Sequence, residues 1–160
     1  MAELPLIDAR GGRLLSCDAI SVDAREELNA GLSFACSLVI VEWSRQVLLG
    51  LNRRRHQWEL PGGTIEERET AHDAALRELA EETGIRVNDA ALLARATFEF
   101  AGDSTTYQAA IFQVVLAAPE DLVASDELSD FRWWNPLDEP RATTNNLDVE
   151  VVRRVRSRMS

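Results

Sequence analysis

A chain of 160 residues, 46% of them hydrophobic, is long enough to bury one real core and too short for two comfortable ones. A formal net charge of −10 argues against a protein that coats nucleic acid, because a surface that neutralises phosphates must be basic. No apolar run approaches the length of a membrane span, and the N-terminal MAELPLIDARGG lacks the basic start and apolar centre of a signal peptide. Cys17 and Cys36, the two cysteines, stand apart from any paired motif and read as free thiols in a reducing compartment, so a cytoplasmic location is expected.

Residues 1–30 are expected to form an N-terminal extension of the same domain. Arg13 to Ser21 reads as a strand, and the acidic VDAREELNAG after it as a loop or short helix. Its expected role is structural, as an edge strand or a contact in a homodimer; no specific residue supports a substrate-covering role. Leu32 to Val41 is an apolar run that reads as a central strand, and Val47 to Leu51 follows a turn at Trp43-Ser44-Arg45 to make a hairpin. Arg53-Arg54-Arg55-His56 is a basic cluster in an acidic protein. A merely solvated loop and an arginine that contacts a substrate phosphate are equally good readings of it, whereas His56 reads as a surface residue. Pro61-Gly62-Gly63 makes a sharp turn whose backbone can approach a ligand closely, but no Gly-Lys-Ser/Thr follows to make it a P-loop.

From Gly63 to Ile85 the chain carries seven carboxylates and two arginines, half of the total net charge. Thr70 as N-cap, Asp73 three residues on and Gly84 as terminator predict a helix over Ala71–Thr83. Ala71, Ala75 and Leu79 form a narrow stripe suited to lying close on a sheet. Glu78, Glu81 and Glu82 share another face and repel one another, which a hard divalent cation with oxygen ligands would relieve. For an arbitrary glutamate-rich helix, a solvated acidic face is the better reading. His72 in the first turn reads as solvent-exposed.

Ala91 to Phe100 and Tyr107 to Leu116 read as strands around a turn at Gly102-Asp103-Ser104. Phe98, Phe100, Tyr107 and Phe112 read as core residues in preference to a stacking platform. An acidic loop, PEDLVASDELSD, precedes a strand at Phe131–Trp134. Asn145 and Asn146 then lead into a helix from Leu147 to about Arg158, striped by Leu147, Val151 and Val155. An asparagine there serves as an N-cap on the plainest reading.

The order Gly63, Glu69, Arg77-Glu78-Leu79, Glu81-Glu82, Gly84-Ile85 matches the Nudix box at every defined position, and WELPG before it extends the match. The chain therefore resembles the Nudix hydrolases, MutT-like enzymes included. The resemblance implies an α/β fold, the Nudix α/β/α sandwich with a mixed sheet between helices, occupying residues 31–160. It also implies Mg²⁺- or Mn²⁺-dependent hydrolysis of a diphosphate bond in a nucleoside diphosphate derivative, with a nucleoside triphosphate, oxidised or not, as lead substrate. By the same resemblance Glu78, Glu81 and Glu82 are the metal ligands, with a carbonyl at Gly62 or Gly63 completing the shell, and Glu78 is the first choice of general base. Glu69 and Arg77 would form an ion pair that aims Glu78. Glu127, or Asp126 or Asp130 in its place, would be the extra acid that many relatives carry in a late loop. Arg53 or Arg54 would contact substrate phosphate, and Asn145 and Asn146 are candidates to read a base. The proline of many ADP-ribose hydrolases would fall at Ala101 and the tyrosine of dinucleoside polyphosphate hydrolases at Asp103, so both activities are less expected. An isopentenyl-diphosphate-isomerase-like enzyme and a non-catalytic nucleotide-sensing module remain the alternatives.

Overall fold

The computed structural model describes residues 1–25 and 34–158. Nine strands, β1 (Leu6–Ile7), β2 (Arg13–Ala19), β3 (Cys36–Trp43), β4 (Gln46–Asn52), β5 (Trp58–Glu59), β6 (Gly62–Thr64), β7 (Ala91–Glu99), β8 (Thr106–Val115) and β9 (Leu128–Trp134), form one mixed sheet. Among the described residues they are accompanied by the helices α1 (Ala71–Thr83) and α2 (Asn146–Ser157). The main path is β1-β2-β7-β8-β3-β4-β5, with β6 paired to β3 and β9 to β4. The first thirty residues thus give the sheet two strands of its edge. Of the stretch read as a loop or short helix, Val22–Ala24 is a single 3₁₀ turn capped by Ser21 and closed by Arg25, and residues 26–31 lie outside the described residues.

The continuous apolar run is explained by β3 pairing parallel to β8, from Cys36 opposite Ala109 to Glu42 opposite Val115. Val39, Ile40 and Val41 are all fully buried, because a helix covers each face of the sheet there. Ala71, Ala75 and Leu79 of α1 pack with Val39, Val41 and Phe112 on one face. Leu147, Val151, Val152 and Val155 of α2 pack with Ile40, Ala96, Ile111 and Trp134 on the other. The strand starts at Cys36, later than the Leu32 expected; Leu32 itself lies outside the described residues. The last strand begins at Leu128, three residues before the expected Phe131, because it runs along β4 as far as Asn52.

The predicted hairpin turns through Ser44 and Arg45, both at positive φ. Its strands pair only at Glu42 with Val47 and Trp43 with Gln46. Beyond that they part, and two short strands fill the gap: β5 pairs with Gly50 and Leu51 of β4, and β6 with Cys36, Ser37 and Leu38 of β3. This fork sets Pro61-Gly62-Gly63 between the two halves of the sheet and under α1.

Candidate active site

The start of α1 is held by a full capping box: Thr70 Oγ1 accepts from Asp73 N, and Asp73 Oδ2 accepts from Thr70 N. Its end is stopped at Gly84 in the left-handed conformation. The buried Ser37 hydroxyl donates to the Ala71 carbonyl at 2.7 Å and ties the helix to β3. With Ala71, Ala74 and Ala75 against the sheet, α1 lies close enough for its glutamates to touch β6. Gly62 N donates to Glu82 Oε1 at 2.9 Å.

The two glycines are demanded by this contact. Gly62 has φ +151° and an added Cβ would run into the Ser37 carbonyl oxygen; one on Gly63 would stand 2.5 Å from Glu78 Oε1.

Glu78, Glu82 and Glu127 each bring a carboxylate oxygen into one group, all within 4.8 Å of one another. Glu82 is 4% exposed, and its carboxyl is pushed well above the usual carboxylate range, first by burial and then by the charges of Glu78 and Glu127. Three oxygen donors converging on a point where one acid can barely ionise fit a hard divalent cation, which would restore the charge balance.

Arg77 is the organiser beside them. It forks onto Glu69 and also reaches Glu78 Oε1 at 2.9 Å and the Thr64 carbonyl at 3.1 Å. The Glu69 carboxyl is held below its ordinary value chiefly by the hydrogen bonds from Arg77. Glu81, expected as a ligand, does not join the group; it is mostly exposed and pairs with Arg77 at 3.2 Å. The helical spacing explains this, since Glu81 lies one turn from Arg77 while Glu78 and Glu82 share the face toward β6.

Glu127 stands on the loop before β9, close to the arginine turn. Arg53 N donates to the Glu127 carbonyl, and Arg53 Nε to the Ser125 carbonyl at 2.9 Å, so Arg53 fastens this loop. Arg53, Arg54 and Arg55 line a small polar pocket of about 290 Å³ with Asp126 and Glu127. Asn52 shapes the turn, its Oδ1 accepting from Arg54 N and Arg55 N. Asp130 is turned to its own chain, capping Phe131 N, outside the group.

A larger cleft of about 750 Å³ opens on the other side of the arginine turn, and Gly62 and Gly63 border it. Its walls include Phe98, Tyr107, Glu59 and Asp148. Phe98 and Tyr107 stack with centroids 5.3 Å apart, and Phe100 leans on Tyr107 at 4.6 Å. The expectation that all four aromatics are core holds for Phe98 and Phe112, but Phe100 is 53% exposed at the rim. Asn145 is the α2 N-cap, its Oδ1 accepting from Leu147 N and Asp148 N. Asn146 Nδ2 is spent on the Ile7 carbonyl at 3.1 Å.

Sequence reasoning missed Asp148 and Glu59. Asp148 is buried, bonded to Leu60 N at 2.9 Å, and pushed up to about 7 by burial and then by the Glu59 charge. Its one signal in the sequence, an acid in the first turn of a helix, reads as ordinary capping. Glu59 accepts from Asn52 Nδ2 at 2.8 Å and from Arg55 Nη2 at 2.6 Å. His72, expected in solvent, instead pairs with Asp89 at 2.8 Å and sits edge-on to Phe112.

The family model for the NUDIX domain matches residues 34–155. An oxidized purine nucleoside triphosphate hydrolase of Mus musculus is 37% identical over 79 residues, 48% of this chain and 51% of that protein. An RNA pyrophosphohydrolase of Bartonella tribocorum is 64% identical over 33 residues, 21% of this chain and 19% of its own. The chain thus spans about half the length of the first relative and about a fifth of the second. A solved pyrophosphohydrolase of Bacillus subtilis superposes with a TM-score of 0.68 at 19% identity, covering 96% of this chain and 94% of that one, which is a likeness of fold. Among the described residues no helix is long and apolar enough to cross a membrane.

Proposed function

The chain belongs to the Nudix family, and on that premise we propose that it is a divalent-metal-dependent hydrolase that cleaves a diphosphate bond in a nucleoside diphosphate derivative. The leading substrate is a purine nucleoside triphosphate, oxidised or not. The observation that carries this is the group of Glu78, Glu82 and Glu127 at the Gly62–Gly63 end of a cleft large enough for a nucleoside.

Glu78 and Glu82 would hold Mg²⁺ or Mn²⁺, Glu78 aimed by Arg77 and Glu82 by Gly62 N. When bound, the ion supplies charge stabilisation on the phosphates and a more acidic water. Glu127 is the better general base. It is exposed on a loop and, among the described residues, no arginine pairs with its carboxylate, whereas Glu78 is already engaged by Arg77. Arg54, which shares a pocket with Glu127, would neutralise a terminal phosphate; Arg53 is occupied with the Ser125 carbonyl.

In the larger cleft the base would lie against Phe98 and Tyr107, with Asp148 replacing Asn145 and Asn146 as its reader. A carboxyl near pH 7 is an acceptor when ionised and a donor when protonated, which suits a purine edge that offers both. The likeness to the mouse oxidized purine nucleoside triphosphate hydrolase supports the same class. The test is release of phosphate or pyrophosphate over a panel of nucleotides, oxidised nucleotides, ADP-ribose and dinucleoside polyphosphates, with and without Mg²⁺. Metal-dependent turnover that Glu82→Gln abolishes is expected; no turnover by a folded, metal-binding protein would favour a nucleotide-sensing role.

A further inference from the structure

The larger cleft has a wall that the Nudix box does not supply. The turn between β1 and β2, Asp8 to Gly12, borders it opposite Arg55, Gln57 and Glu59. The turn is internally tight: Asp8 Oδ1 accepts from Arg10 N at 2.8 Å and Gly12 N at 2.9 Å, and Asp8 N donates to the Gly12 carbonyl. From it Arg10 reaches across, and its Nη2 donates to the Arg55 carbonyl at 3.1 Å. Arg55 is the residue common to both pockets, and Asn52 and Glu59 hold it from behind.

We propose that the Asp8–Gly12 turn is a lid on the nucleoside cleft and that Arg10 is its latch, a positioning residue that couples closure over the nucleoside to the placing of the arginine turn beside Glu127. The inference rests on the nucleotide reading given above for what the cleft holds. A single exposed hydrogen bond to a carbonyl is strong enough to bias closure and weak enough to open each turnover. Both ends of the latch carry hydrogen-bonded amides, those of Arg10 and Gly12 on one side and of Arg54 and Arg55 on the other, so its opening can be read at each end separately.

The experiment compares the full chain with Arg10→Ala and Arg10→Lys by hydrogen–deuterium exchange of segments 6–13 and 52–57, and by steady-state kinetics on a nucleoside triphosphate. Arg10→Ala is expected to speed exchange in both segments by about fivefold, the worth of one hydrogen bond, and to raise KM by more than it lowers kcat. Arg10→Lys, which can still donate to the same carbonyl, should recover much of the protection. Faster exchange in 6–13 alone, in neither segment, or with KM unmoved, would overturn the latch while leaving the hydrolase intact. If the wild type turns over no nucleotide the hydrolase reading fails, and the exchange experiment on the free protein still decides the latch.

Discussion

Arg77 holds Glu69 through two parallel hydrogen bonds, Nε to Oε2 at 2.7 Å and Nη2 to Oε1 at 2.9 Å, with the same guanidinium 2.9 Å from Glu78. One planar group thus fastens the loop before α1 and sets the angle of a carboxylate in the acidic group. Arg77→Lys keeps the charge but loses the fork, so it should leave the protein folded while weakening metal binding by about tenfold to a hundredfold. Titration of Mn²⁺ binding beside a thermal melt checks this. Unchanged metal affinity would show that Glu78 needs no such support.

The geometry separates Glu81 from Glu82, which the box treats nearly alike, and sets Glu127, outside the box, beside Glu82. Glu82→Gln and Glu127→Gln should each lower metal-dependent turnover by at least about a hundredfold, as expected for loss of a ligand or a general base. Glu81→Gln should stay within about threefold, since an exposed surface pair contributes little. Side-by-side rate measurements at saturating Mg²⁺ decide it, and a Glu81→Gln variant as dead as Glu82→Gln would return Glu81 to the ligand set.

The two neighbouring glycines should fail in different ways. At Gly63 an added methyl meets the end of the Glu78 side chain, which can swing aside, so Gly63→Ala should fold and lose metal affinity. At Gly62 it meets β3 backbone at a positive φ, so Gly62→Ala should cost stability outright, roughly 1–3 kcal/mol. Urea unfolding of both variants, with and without Mn²⁺, distinguishes the two.

Asp148 makes stability depend on pH with a definite sign. Its carboxyl titrates at about 7 when folded and near the ordinary value of 3.8 when unfolded. Between those two values the folded chain keeps a proton that the unfolded chain releases. Its contribution therefore favours the fold below the lower value and is lost progressively up to about pH 7, at no more than roughly 1.4 kcal/mol per pH unit. Asp148→Asn has no such proton to lose. Relative to wild type it should gain stability on going from pH 4 to pH 7, as urea midpoints at the two pH values would show. A constant difference would mean that Asp148 is ionised within the fold.

Much of the architecture was legible because local signals agreed. Thr70, Asp73 and Gly84 bound α1 at the residues expected, since capping is a matter of a few neighbouring side chains. The apolar run ending at Val41 announced a strand buried on both faces. The short strands β5 and β6 were invisible, because two or three residues carry no periodicity and exist only where β3 and β4 part. Asn145 read correctly as a cap, its Oδ1 accepting from Leu147 N and Asp148 N.

Sequence by itself determined the family, the helix that carries the glutamates and the Glu69–Arg77 pair, all encoded within 23 consecutive residues whose spacing leaves little freedom. Only the tertiary structure decided that Glu127 and not Glu81 completes the acidic group, that Asp148 is a buried acid of the cleft, and that Arg10 crosses to Arg55. Those outcomes depend on distances between residues 45 to 88 positions apart, and on the burial that shifts a carboxyl, which no local pattern records.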